Sequence, residues 1–166
     1  MQSSGINLVC EACGKTWELT ELGYLKATKG ETYFDHVPDW YRWERECVRD
    51  EIIAGNYSLD VPVEIMMAVN NKRIYRVGEG TLTHTVDGFR LTDTTGRIDY
   101  SQKPLSSYSV NADFNWYEIG DIIAVGNHEA LYYCLPKIDG DIVAKTRLAA
   151  EEIYKLLAER KLAAEV

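Results

Sequence analysis

The chain is predicted to be α+β and mainly β: a bent antiparallel barrel of about seven strands capped by a C-terminal helix. A short cysteine-bearing segment and one linking helix precede it. Three observations carry this expectation. Gly80–Thr92 reads as two short arms joined at Asp87-Gly88, with Thr and Val dominating the first arm. Further alternating stretches lie on both sides of it. A single amphipathic segment then closes the chain.

The strands follow in order. From Val61 to Val69 the odd positions are Val61, Val63, Ile65, Met67 and Val69, a period of two. Pro62 lies near the start, where a strand tolerates it. After the Asn70-Asn71 loop comes the short run Lys72–Val77. Asp87-Gly88 is expected to form a two-residue type I′ turn, whose positive φ angles match strand twist. Arg97–Ser101 is the next strand. A long alternating run then places Tyr108, Val110, Ala112, Phe114 and Trp116 on one face. Ile122–Val125 and Ala130–Leu135 are the last two strands. The final helix is expected from about Arg147 to Ala163, with Leu148, Ala149, Ile153, Leu156 and Leu157 as its apolar stripe.

Upstream, a helix is expected to start near Pro38, since Pro suits the first helical position, and to end at Gly55. Trp40, Trp43 and Cys47 share one face, with Tyr41, Val48 and Ile52 beside them, and are read as packing residues rather than a ligand platform. Residues 20–36 read as short strand and loop, punctuated by Gly23 and Gly30. The expected divisions are a half zinc ribbon over 1–33, the helix over 34–56 and the barrel with its helix over 57–166.

Cys10 and Cys13 have the C-x-x-C spacing, followed by Gly14 and a strand-like Thr16–Leu19. In a zinc knuckle two thiolates grip one metal from a tight turn. A redox pair would sit at a helix N-terminus, which lowers the thiol pKa; Gly14 and the strand argue against that. An unligated pair in a turn is the third reading. A structural zinc needs four ligands, so zinc would need donors from outside this chain. Cys47 and Cys134 are expected to be buried small apolar residues, and His36 is a weak further donor candidate.

The net charge is −8, and residues 1–71 carry 6 basic against 12 acidic groups. Such a chain is repelled by nucleic-acid phosphate, so no nucleic-acid partner is expected. Lys72, Arg73 and Arg76 are a local basic cluster and the candidate ligand-binding residues. No run of about 18 apolar residues occurs, so no spanning helix is expected. The residues from Met1 to Asn7 have no basic segment or apolar stretch of a secretory signal. With the close Cys pair, this suggests a reducing cytoplasm. No Gly-x-Ser-x-Gly elbow and no phosphate-cradling glycine loop are present. No catalytic residue is assigned.

The order of seven strands and a helix resembles the pleckstrin-homology fold and its GRAM-like relatives, at the level of element order. Four stretches resemble the region after the catalytic domain in Firmicutes-type 1-acylglycerol-3-phosphate acyltransferase-like proteins: Cys10–Gly23, Phe34–Trp43, Gly78–His84 with Asp87–Phe89, and Lys145–Tyr154. That family's catalytic signature is His, four residues, then Asp. Here Tyr41, Phe89 and Tyr133 stand five after His36, His84 and His128, so no catalytic role carries over. The resemblance implies a further upstream Cys-x-x-Cys and a chain that is a piece of a longer protein. It also implies a non-catalytic accessory module of phospholipid synthesis, partnered by the parent catalytic domain or another protein. Membrane lipid headgroups are a second class of partner, and a peripheral place at the inner membrane face would follow.

Overall fold

The computed structural model describes residues 2–10, 13–69, 73–138 and 140–164. The chain is mixed α+β and mainly β, with two antiparallel sheets and a C-terminal helix. It divides into two compact units, Met1–Cys47 and Val48–Val166.

The first unit is a four-stranded meander of β1 (Gln2–Ser4), β2 (Asn7–Val9), β3 (Thr16–Leu19) and β4 (Leu25–Ala27). Its core is Trp17, Leu25 and Trp40, the last from helix α1 (Val37–Ile53). Trp17 meets Trp40 edge to face at 4.7 Å and donates its indole N–H to the Thr32 carbonyl at 2.8 Å. A buried indole needs such an acceptor, because an unpaired N–H would cost its desolvation. The sheet is a simple up-and-down meander.

The second unit holds seven strands: β5 (Leu59–Val69), β6 (Arg73–Thr85), β7 (Gly88–Asp93), β8 (Asp99–Gln102), β9 (Asn111–Trp116), β10 (Gly120–Gly126) and β11 (Leu131–Pro136). Their order is β8-β7-β6-β5-β11-β10-β9. The first strand therefore pairs with the last, and the two free edges are β8 and β9. The expected barrel is not closed. A 3-10 turn at Pro104–Ser106 and irregular backbone carry the chain between those edges, and Pro104 has no N–H to give to a ladder.

The core face follows the period of two. Leu59, Val61, Val63 and Ile65 on β5 face Leu82, Phe89, Leu91, Ile123, Val125 and Cys134. Helix α2 (Ile142–Ala164) adds Val143, Leu148, Ala149, Ala150 and Ile153. Two acids on α2 are also buried, and each is compensated: Glu152 by Arg49 at 3.0 Å and Lys155 at 2.6 Å, Glu151 by Arg147 at 3.4 Å. Removing one partner of such a pair is costly, because it leaves an uncompensated buried charge.

Several expectations are corrected. The hairpin turn is Val86-Asp87, since Thr85 pairs with Gly88, and neither turn residue has positive φ; that angle falls on Gly88, at 109°. Arg73–Val77 and Gly80–Thr85 are not two strands but parts of β6. A bulge reconciles them: Ile65 pairs with Gly78 and Met66 with Arg76, leaving Val77 extra. The run 108–116 does not keep one face. Val110 and Trp116 are buried, whereas Tyr108 and Phe114 are exposed. Asn115 at φ 52° and a register shift opposite Gly120–Ile122 break the alternation. Cys47 is exposed rather than buried, and Trp43 is about half exposed; Trp40, Val48 and Ile52 are the buried positions of α1. Helix α2 begins five residues earlier than expected, after Asp141, whose carbonyl accepts the Lys145 N–H.

Candidate functional site: a groove at the open seam

Because β8 and β9 do not pair, a cavity of about 630 Å³ opens between the end of β8, the 3-10 turn and the β10–β11 hairpin. Tyr100, Val110, Ala124 and Leu131 give it an apolar floor, and Gln102, Lys103, Asn127 and His128 are among its polar lining. None of its 14 lining residues is Asp or Glu, in a chain with 26 of them.

Local hydrogen bonds set this groove. The Gln102 Oε1 accepts from the Tyr100 hydroxyl at 3.2 Å and from the Gly126 N–H at 3.4 Å, tying β8 to β10. The Asn127 Oδ1 accepts from the N–H groups of Glu129 (2.8 Å) and Ala130 (3.1 Å), which shapes the β10–β11 turn. The serines hold the connecting loop: Ser106 donates to the Lys103 carbonyl and Ser107 to the Ser109 carbonyl, both at 2.6 Å. Ser109 donates to Glu151 on α2 at 3.0 Å.

A second polar feature lies inside the core. His84 is 1% exposed, stacks on Phe89 at 3.7 Å and shares a hydrogen bond of 2.9 Å between Nδ1 and the Tyr57 hydroxyl. Burial pushes the His84 pKa down to about 3. Burial, and then the charge of Glu51, raise that of Tyr57. Both groups are thus moved away from neutral pH, where a general acid or base works best. The adjoining cavity is only about 10 Å³, at most room for one water. This is a buried, mutually hydrogen-bonded core pair. Burial likewise pushes the Cys134 thiol up to about 12, as befits the expected apolar role.

The sequence-predicted site residues are not brought together here. Cys10 and Cys13 lie between β2 and β3, Cys10 half-buried and Cys13 exposed, with no disulfide between them. The Gly14 N–H bonds the Cys10 carbonyl at 2.7 Å, and Gly14 lies in the left-handed region at φ +70°. Two thiolates are half of a tetrahedral donor set. No group of three or more His, Cys, Asp or Glu gathers among the described residues. Lys72 lies outside the described residues. Arg73 is exposed at the start of β6, and Arg76 is taken by Glu64 at 2.5 Å. The basic cluster thus has one of its charges neutralised within its own hairpin. Sequence reasoning missed the groove. Its signal was present only as the polar Ser101–Ser109 stretch broken by Pro104.

No helix among the described residues is long and apolar enough to cross a membrane. No family profile matches the chain, and no curated protein matches it.

Proposed function

We propose that this chain is a non-catalytic binding module on a pleckstrin-homology-like scaffold, serving a phospholipid-synthesis acyltransferase. The observation that carries the scaffold reading is the pairing of the first strand with the last, with α2 packed on the core of the same curled sheet. A sheet so arranged buries one face and leaves loops and free edges for partners. The accessory role rests on the sequence resemblance. The displaced pKa values of the buried His84–Tyr57 pair, in a cavity too small for substrate, support a non-catalytic role. The partner is the parent catalytic domain or another protein. Zinc at Cys10 and Cys13 would need two donors from outside this chain.

Purified chain is expected to transfer no acyl group from acyl-CoA or acyl carrier protein to lysophosphatidic acid. Measurable turnover by the chain alone would overturn the accessory reading.

A stand-alone binder of lipid headgroups or protein is the second reading. Ile74, Tyr75 and Val77 are exposed beside Arg73 on the β5–β6 hairpin, an apolar and basic combination suited to a membrane surface.

A further inference from the structure

We propose that the seam groove binds a phosphate ester carrying an apolar or aromatic body. The argument does not depend on the acyltransferase reading; it stands on which polar groups the fold leaves unengaged. The side-chain oxygens of Gln102 and Asn127 are each held by two donors. The part of each amide that remains is its NH₂, a pure donor. Lys103, exposed and in no ion pair with another described residue, adds three more N–H donors and a positive charge. His128, on the same turn as Asn127, adds a ring nitrogen. The loop serines have already given their protons to Lys103, Ser109 and Glu151 acceptors, so they fix the walls and are not the donors for a ligand.

The groove is thereby biased towards accepting ligand oxygens. Glu151 touches the lining residue Ser109, and Arg147 already pairs with it; Glu129 follows His128 in the turn but is not in the lining. An anion entering here meets a lysine and two amide donors with no carboxylate in the lining, although the protein as a whole is acidic. The volume exceeds what a bare oxyanion fills. The Tyr100, Val110 and Leu131 surfaces would take an apolar body beside the charged head. A soluble phosphate ester and a lipid headgroup share this chemistry.

The test is an amide-resolved NMR titration of the full chain with inorganic phosphate and with phenyl phosphate, paired with sedimentation on vesicles with and without phosphatidic acid. Phenyl phosphate is expected to shift the amides of Gln102, Lys103, Asn127 and His128 at lower concentration than phosphate does. Lys103→Glu reverses the charge, and Asn127→Asp keeps the acceptor that the turn needs while replacing the donor. Each variant is expected to weaken binding by about tenfold or more, the size of one lost charge-assisted bond. Far-UV spectra identical to the parent's would show that both variants fold. Vesicle binding competed by phenyl phosphate assigns a headgroup; phenyl phosphate binding without vesicle binding assigns a soluble ester. Absence of shifts at millimolar phenyl phosphate would overturn the proposal, as would shifts that both variants retain. Vesicle binding removed by Arg73→Glu but kept in Lys103→Glu would move the contact to the β5–β6 hairpin and overturn it as well.

Discussion

Gly80→Ala is expected to destabilise the second unit by about 1–3 kcal/mol, the range of an overpacked interior position. Gly80 pairs with Asp93 at the end of the β6–β7 ladder and lies opposite Val63 within the β5–β6 ladder. Its φ is not in the left-handed region, so the backbone itself would accept alanine. The obstacle is space. A Cβ there would stand 2.1 Å from the Thr92 carbonyl oxygen and 2.7 Å from the Ile65 Cδ1. A methyl side-chain end can rotate away, but a backbone oxygen in a paired strand cannot move without breaking ladder bonds. Urea unfolding followed by far-UV dichroism measures the loss. A variant within about 0.5 kcal/mol of the parent, the range of an inconsequential surface change, would contradict the close strand approach.

Acid is expected to unfold the second unit through His84. The ordinary imidazole pKa is 6.5, and burial lowers that of His84 to about 3 in the folded chain. Above pH 6.5 both states are neutral and the residue contributes no pH dependence. Between 6.5 and 3 the unfolded chain binds a proton that the folded chain refuses, so stability falls as pH falls. The slope is about 1.4 kcal/mol per pH unit in that window. The double variant His84→Leu/Tyr57→Phe removes both members of the buried hydrogen bond. Replacing both partners with apolar groups can be nearly neutral at pH 7. From pH 7 to pH 4 the parent is expected to lose about 3 kcal/mol more than the double variant. Equal losses would show that His84 titrates near its ordinary value and is open to water.

Much of the second unit was legible because its residues obey simple periods. Val61, Val63 and Ile65 alternate as a half-buried strand must, and Leu148, Ala149 and Ile153 recur as on one helix face. The Gly80–Thr92 hairpin was visible for the same reason. Its turn was misplaced by one residue because glycine marked the positive φ but not the turn centre. The bulge at Val77 was hidden, since an extra residue reads as a strand end when only alternation is followed. The early start of α2 was also hidden: Ile142 and Val143 look like a strand, and only Asp141 before them hints at a helix start. Cys47 was misjudged because α1 buries Trp40, Val48 and Ile52, a face rotated away from it.

The site was less legible than the fold. The basic cluster was conspicuous in sequence, yet Glu64, twelve residues earlier, stands beside Arg76 across the β5–β6 ladder. The seam groove joins β8, a loop and the β10–β11 turn, and its donor bias arises from bonds between Gln102 and Gly126, residues 24 apart. No local pattern encodes that. The Tyr57–His84 pair is likewise a product of tertiary packing, although the shared strand face of His84 and Leu82 already pointed inward.

The open seam between β8 and β9 underlies both the scaffold reading and the groove. Amide hydrogen exchange of the intact chain tests it most directly. The β8 and β9 amides not bonded to β7 and β10 are expected to exchange quickly, while those in the β5–β11 and β5–β6 ladders are protected up to the global unfolding limit. Equal, strong protection along the outer edges of β8 and β9 would mean a closed barrel with no groove between them.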